Sequence, residues 1–145
     1  MKKVFYWIVF VLLCIWQLPQ LLTAAVMLIF VGKLRLLANR NYSYCFEGSK
    51  MAGGISLGPI CIVSKSLAKS PATIAHELDG HTVDSKIFGP LYLIIVGLPS
   101  LLNATFGFTK CYYDFFTERW ANKHAKLEVT EYCTLNFKEN KEVQK

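Results

Sequence analysis

The sequence predicts an α+β membrane protein on three observations. Two long stretches carry no charge, a tyrosine-rich segment alternates with period two, and a histidine–glutamate pair lies in a run with helix-start signals. In chain order the expected parts are an N-terminal transmembrane helix, a β-hairpin, a His-Glu helix, a second apolar helical segment that spans or re-enters, and a C-terminal glutamate helix. The length of 145 residues suits one domain. Apolar residues make up 53% and charged residues 18%, which excludes a disordered chain and a nucleic-acid tail. The net charge of +6 therefore points to a membrane surface, and nothing resembles a nucleic-acid module.

The first element is the uncharged run Val4–Gly32, 29 residues long. About 20 apolar residues cross a bilayer core, so one helix fits and two do not. Gln17, Pro19 and Gln20 interrupt the run, and a kink is expected near Pro19. A cleaved signal peptide is the competing reading, with Thr23-Ala24-Ala25 as its cleavage site. The uncharged run continues past Ala25, which favours a retained anchor over 1–32.

Next, Tyr42, Tyr44 and Phe46 alternate with Ser43, Cys45 and Glu47, the period of a strand. Ile55–Ser64 is rich in β-branched residues and reads as the return strand. Pro59 confines it to a sheet edge or a bulge. Ser70-Pro71 opens a helix, with serine as N-cap and proline at the first helical position. That helix runs through His76 and Glu77 towards Lys86. The second apolar segment, 87–108, holds Gly97-Leu98-Pro99 at its centre, which favours a break there. Residues 112–127 read as a final helix with Phe115, Glu118, Asn122 and Ala125 on one face. The stretch 138–145 reads as a disordered tail. The five cysteines lack paired spacing, so neither a disulfide framework nor a cysteine metal site is expected.

The chemistry concentrates in Ala75-His76-Glu77-Leu78-Asp79-Gly80-His81. A zincin presents two histidines four residues apart on one helix face. Here they are five apart, about 140° out of phase on a regular helix. A π-bulge at Asp79-Gly80 would restore a shared face. Alternatively, the helix ends near Gly80 and His81 reaches back from a turn. A third arrangement uses Glu77 and His81, at i,i+4 spacing, as the ligands. Asp79 and Asp84 read as helix-surface charges, although Asp84 stands where it could support the site one turn on. His124 reads as a surface residue, and Tyr112, Tyr113 and Trp120 as an interfacial belt or core.

Glu118-Arg119-Trp120-Ala121-Asn122-Lys123-His124-Ala125 resembles the E-x-x-A-D-x-x-A helix of membrane-embedded gluzincin peptidases, the group of the CAAX prenyl protease and the heat-shock membrane protease. The stretch 81–100 resembles short bacterial membrane proteins carrying H-E-x-G-H, with one residue inserted here. These resemblances cover about residues 50–125 and imply a zincin-like domain over 33–137, including the membrane segment 87–108, in a bacterial cytoplasmic membrane. They imply zinc held by His76, His81 and Glu118, Glu77 as general base, and a peptide or membrane-protein substrate. Asn122 replaces the family's aspartate, the residue that orients a ligand histidine. Ile55, Ser56 and Leu57 are the candidate edge that pairs with an extended substrate. The function expected is metallopeptidase chemistry, with a catalytically inactive scaffold as the alternative. So small a chain also implies a homo-oligomer or a partner subunit. If 87–108 crossed the bilayer, His76 and Glu118 would lie on opposite sides, so a shared ion requires a re-entrant turn or a site sunk in the membrane.

Overall fold

The computed structural model describes residues 2–138 and shows a mixed helical and sheet protein. Its N-terminal apolar run is two helices, α1 (Lys2–Trp16) and α2 (Leu18–Leu28), bent by 85°. No single described helix is long and apolar enough to cross a membrane, which corrects the expected transmembrane helix. The break falls at Gln17 rather than Pro19. Pro19 sits in the first turn of α2, where its missing N–H costs nothing. Gln17 and Gln20 are fully buried. The Ser85 hydroxyl donates to Gln17 Oε1 (2.8 Å), and the Gln20 amide donates to the Gly89 carbonyl. The bend thus lets two polar side chains reach buried partners.

Four strands follow: β1 (Leu34–Arg40), β2 (Ser43–Gly48), β3 (Gly54–Leu57) and β4 (Ile60–Val63). The sheet order is β1-β2-β4-β3, with β2 and β4 parallel and the other neighbours antiparallel. The expected single hairpin is corrected to two. Asn41 and Tyr42 both take positive φ, which closes β1 onto β2 in a tight turn. Gly58 (φ 68°) splits Ile55–Ser64 into β3 and β4. Leu34–Arg40 has neither alternation nor β-branching, so its strand is made by pairing alone. Of the expected edge segment Ile55–Ser64, only β3 is an outer strand; β4 lies inside the sheet between β2 and β3.

The central helix forms as read. Ser70 Oγ accepts from the Thr73 N–H (3.2 Å), and Pro71 opens α3 (Pro71–Ala75). A π-helical turn, His76–His81, leads into α4 (Thr82–Phe88). Gly89 ends α4 at φ 50°. A short 3-10 turn and a second π turn, Leu93–Gly97, connect to α5 (Leu98–Phe106). The helical paths on either side of Tyr92 are bent by 119°. The turn therefore lies at Gly89–Tyr92 and not at Gly97-Leu98-Pro99, because Pro99 is accommodated in the first turn of α5.

The last helix is shorter than 112–127. A 3-10 turn over Tyr112–Asp114 precedes α6 (Phe116–His124), and β5 (Leu127–Val129) pairs with β6 (Leu135–Phe137). Cys111 and Cys133 form a disulfide across 22 residues, which corrects the reading of the cysteines as unpaired. Tertiary proximity creates that pair, and spacing could not announce it. Residues 139–145 of the tail lie outside the described residues. Two small cores flank the π turn. Cys45, Cys61, Val63 and Leu78 form the one on the sheet side. Ala72, Ala75, Ala125, Leu127 and Leu135 form the other.

Candidate metal centre

The π turn decides the site. Its i→i+5 bonding makes a five-residue step the equivalent of four on an α-helix. His76 and His81 therefore share a face, with ring centroids 4.7 Å apart. Of the arrangements open to the sequence, the structure takes the π turn, and Glu77 is not in the ligand group. Gly80 permits the close approach of α6: a Cβ there would stand 2.7 Å from the Ala121 carbonyl oxygen. That approach brings Glu118 to the histidines. Its Oε2 lies 3.0 Å from His76 Nε2 and 3.2 Å from His81 Nε2. One donor atom from each of His76, His81 and Glu118 falls within 4.8 Å of the others, and all three residues are buried. Among the described residues this group could hold a metal ion.

Each ligand is held from behind. His76 Nδ1 lies 2.8 Å from Asn122 Oδ1. His81 Nδ1 lies 3.4 Å from Asp84 Oδ2, an ion-pair contact without hydrogen-bond alignment. Asp84 is buried rather than on the surface, and its other oxygen meets His124 Nε2 at 3.2 Å. The Ser100 hydroxyl donates to Glu118 Oε1 (2.7 Å), and the Thr117 hydroxyl does so at 3.2 Å. Oε2 is thereby left to the imidazoles. Burial opposes charge on His81, yet the Asp84 and Glu118 carboxylates outweigh it and push its imidazole up to about 10. Burial likewise raises Glu118, but His76 and His81 hold its carboxyl well below the usual carboxylate range. The donor set, two imidazoles and one carboxylate, suits a borderline divalent ion. Three protein ligands match the count of open rather than closed zinc sites.

Glu77 lies beside the cluster. Its Oε2 accepts from Ser56 Oγ on β3 (2.7 Å), and Gly54 gives its carboxylate room that a Cβ would fill. Glu77 and His81 line a cleft of about 340 Å³. Gly54–Leu57 of β3 forms one wall, while Leu93, Leu98, Leu101 and Ala104 form another. Tyr112 also lines it, so this tyrosine belongs to the cleft and not only to a belt or core. The sequence assigned no role to Ser100, Thr117 or Gly54. Ser100 stands in the stretch that carries the resemblance, one residue after Pro99, and that was its only signal. Asp79, read as a surface charge, pairs with Arg40 at 2.8 Å.

A scan against protein-family models and searches of curated proteins and of solved structures find no match to this chain.

Proposed function

We propose that this chain is a zinc-dependent peptidase that works at a lipid bilayer. One observation carries the reading: His76, His81 and Glu118, from two distant segments, converge beside the Glu77 carboxylate and an outer strand. His76 Nε2, His81 Nε2 and Glu118 Oε2 would hold the ion. When bound, zinc supplies Lewis acidity toward a carbonyl and lowers the pKa of water. Glu77 Oε1, left free by the Ser56 bond to Oε2, accepts the proton of the attacking water and passes it to the departing amine. Ser56 keeps that carboxylate in place. The backbone of β3 offers its unpaired edge to an extended peptide. The adjacent cleft takes an apolar side chain. Asn122 holds the His76 imidazole in the tautomer that leaves Nε2 for the ion, and the Asp84 carboxylate stands behind His81.

The test is elemental analysis of the detergent-purified full chain. Roughly one zinc per chain is expected, retained in Glu77→Gln and lost in Glu118→Ala. Folded wild-type protein without metal overturns the reading.

A further inference from the structure

We propose that α1, α2 and α5 dock into one leaflet of an anionic bilayer, with no segment crossing it, and that the cleft opens into that leaflet. The proposal rests on the peptidase reading only for the use made of the cleft.

The argument begins with exposure. Phe5 and Ile8 of α1, Leu22 and Val26 of α2, and Leu101 and Phe106 of α5 are each more than half exposed. So much apolar surface on a small chain marks a partner of apolar chemistry. Length and contact then select how a bilayer would be met. At 1.5 Å per residue α1 is about 22 Å long and α2 about 16 Å, against a hydrocarbon core of about 30 Å. The bends of 85° and 119° shorten both paths further. Contacts between the flanking segments also rule out crossing. Tyr6, near the start of α1, stacks on Tyr42 with centroids 4.6 Å apart. His76, before the second apolar segment, lies 3.0 Å from Glu118 after it. The start of the first apolar run is thus in contact with the chain after it, and the chain before the second segment with the chain after it, which a crossing at either would prevent.

Charge completes the case. Lys3 opens α1, Lys33 follows α2 and Lys110 follows α5, and all three residues are exposed. Basic groups where apolar segments enter and leave match anionic headgroups. Leu98, Leu101 and Ala104 are exposed and also line the cleft, as does Thr23 of α2. The mouth of the cleft therefore lies within the apolar surface. Its occupant is an apolar segment or chain drawn from the bilayer, not a peptide from water.

The full chain in sealed vesicles of phosphatidylcholine with phosphatidylglycerol provides the test. A Lys65→Cys, Lys123→Cys double variant is treated with an impermeant maleimide, with wild type as the blank for the native thiols. Intact mass should show molecules carrying both labels or neither. Molecules carrying one label alone place 65 and 123 on opposite faces and overturn the proposal. An Ala104→Cys variant carrying a fluorophore should be quenched by lipid-borne nitroxide several-fold more than by aqueous iodide. Dominant iodide quenching overturns it. So does protection from both quenchers that disappears on dilution into excess lipid, the signature of a second copy covering the surface. Metal content measured on the same samples separates the two readings. Metal loss with docking intact removes the peptidase, whereas opposite-face labelling with metal intact removes the docking.

Discussion

At the scale of single residues, Asn122 is the informative position. It stands where the resembling peptidases carry aspartate, yet its Oδ1 still meets His76 Nδ1 at 2.8 Å. Its other amide atom, Nδ2, is buried without a hydrogen-bond partner. Such an orphan donor costs roughly 1–3 kcal/mol. An aspartate would keep the contact, remove the orphan and add charge behind the ligand. Asn122→Ala should therefore weaken zinc binding about 10–100-fold, the usual consequence of losing a ligand's outer partner. Asn122→Asp should bind at least as tightly as wild type. Competition against a chromogenic chelator measures both. Equal affinity in all three proteins would show that His76 does not depend on this neighbour.

At the scale of elements, the π turn converts an impossible spacing into a shared face. A π-bulge is one residue inserted into an α-helix, and its removal leaves the flanking turns in phase. Deleting Asp79 should therefore give a regular helix that still presents both histidines to Glu118. The variant loses the Arg40 ion pair, which is half-exposed on the arginine side and contributes little. Zinc stoichiometry is expected to survive the deletion. Loss of metal from a folded deletion variant would show instead that the wide turn itself sets the ligand spacing. The same element explains Gly80: any side chain there would drive α6, and Glu118 with it, away from the histidines.

At the scale of the whole molecule, the Cys111–Cys133 disulfide ties the loop after α5 to the β5–β6 hairpin. It closes a loop of modest length, and removing such a link costs about 3 kcal/mol. A Cys111→Ser, Cys133→Ser double variant should unfold at correspondingly lower denaturant while keeping its metal, since neither cysteine touches the cluster. Disulfides of this kind persist in oxidising compartments. On the docking proposed above, the His76, His81 and Glu118 group would share that compartment. Non-reducing peptide mapping of protein alkylated before lysis should recover 111 and 133 linked. Free thiols at both positions would place the domain on the reducing side.

The sequence alone determined the elements whose signals are local. Ser70-Pro71 marked a helix start by cap chemistry, and the uncharged runs marked the apolar segments by composition. Pro59 marked Ile55–Ser64 as an edge, which holds for 55–57 but not for 60–63, because Gly58 turns the chain back and β2 covers β4. The inserted residue of the histidine motif was legible too, with the π turn as one of its solutions. The histidine spacing alone left three arrangements open, and the full set His76, His81 and Glu118 was nameable only through the resemblance of 118–125 to the gluzincin helix. What remained hidden depends on residues far apart. Leu34–Arg40 becomes a strand only because Asn41 and Tyr42 turn it onto β2. Gln17 and Gln20 looked like flaws in a membrane span, and they are the groups that bind α2 to α4 and Gly89. Ser100 reaches Glu118 only after the chain has doubled back at Gly89–Tyr92. Local propensity carries no information about which distant polar group a buried amide or hydroxyl will meet. The burial of those groups makes the meeting obligatory, and only the tertiary structure decides the partner.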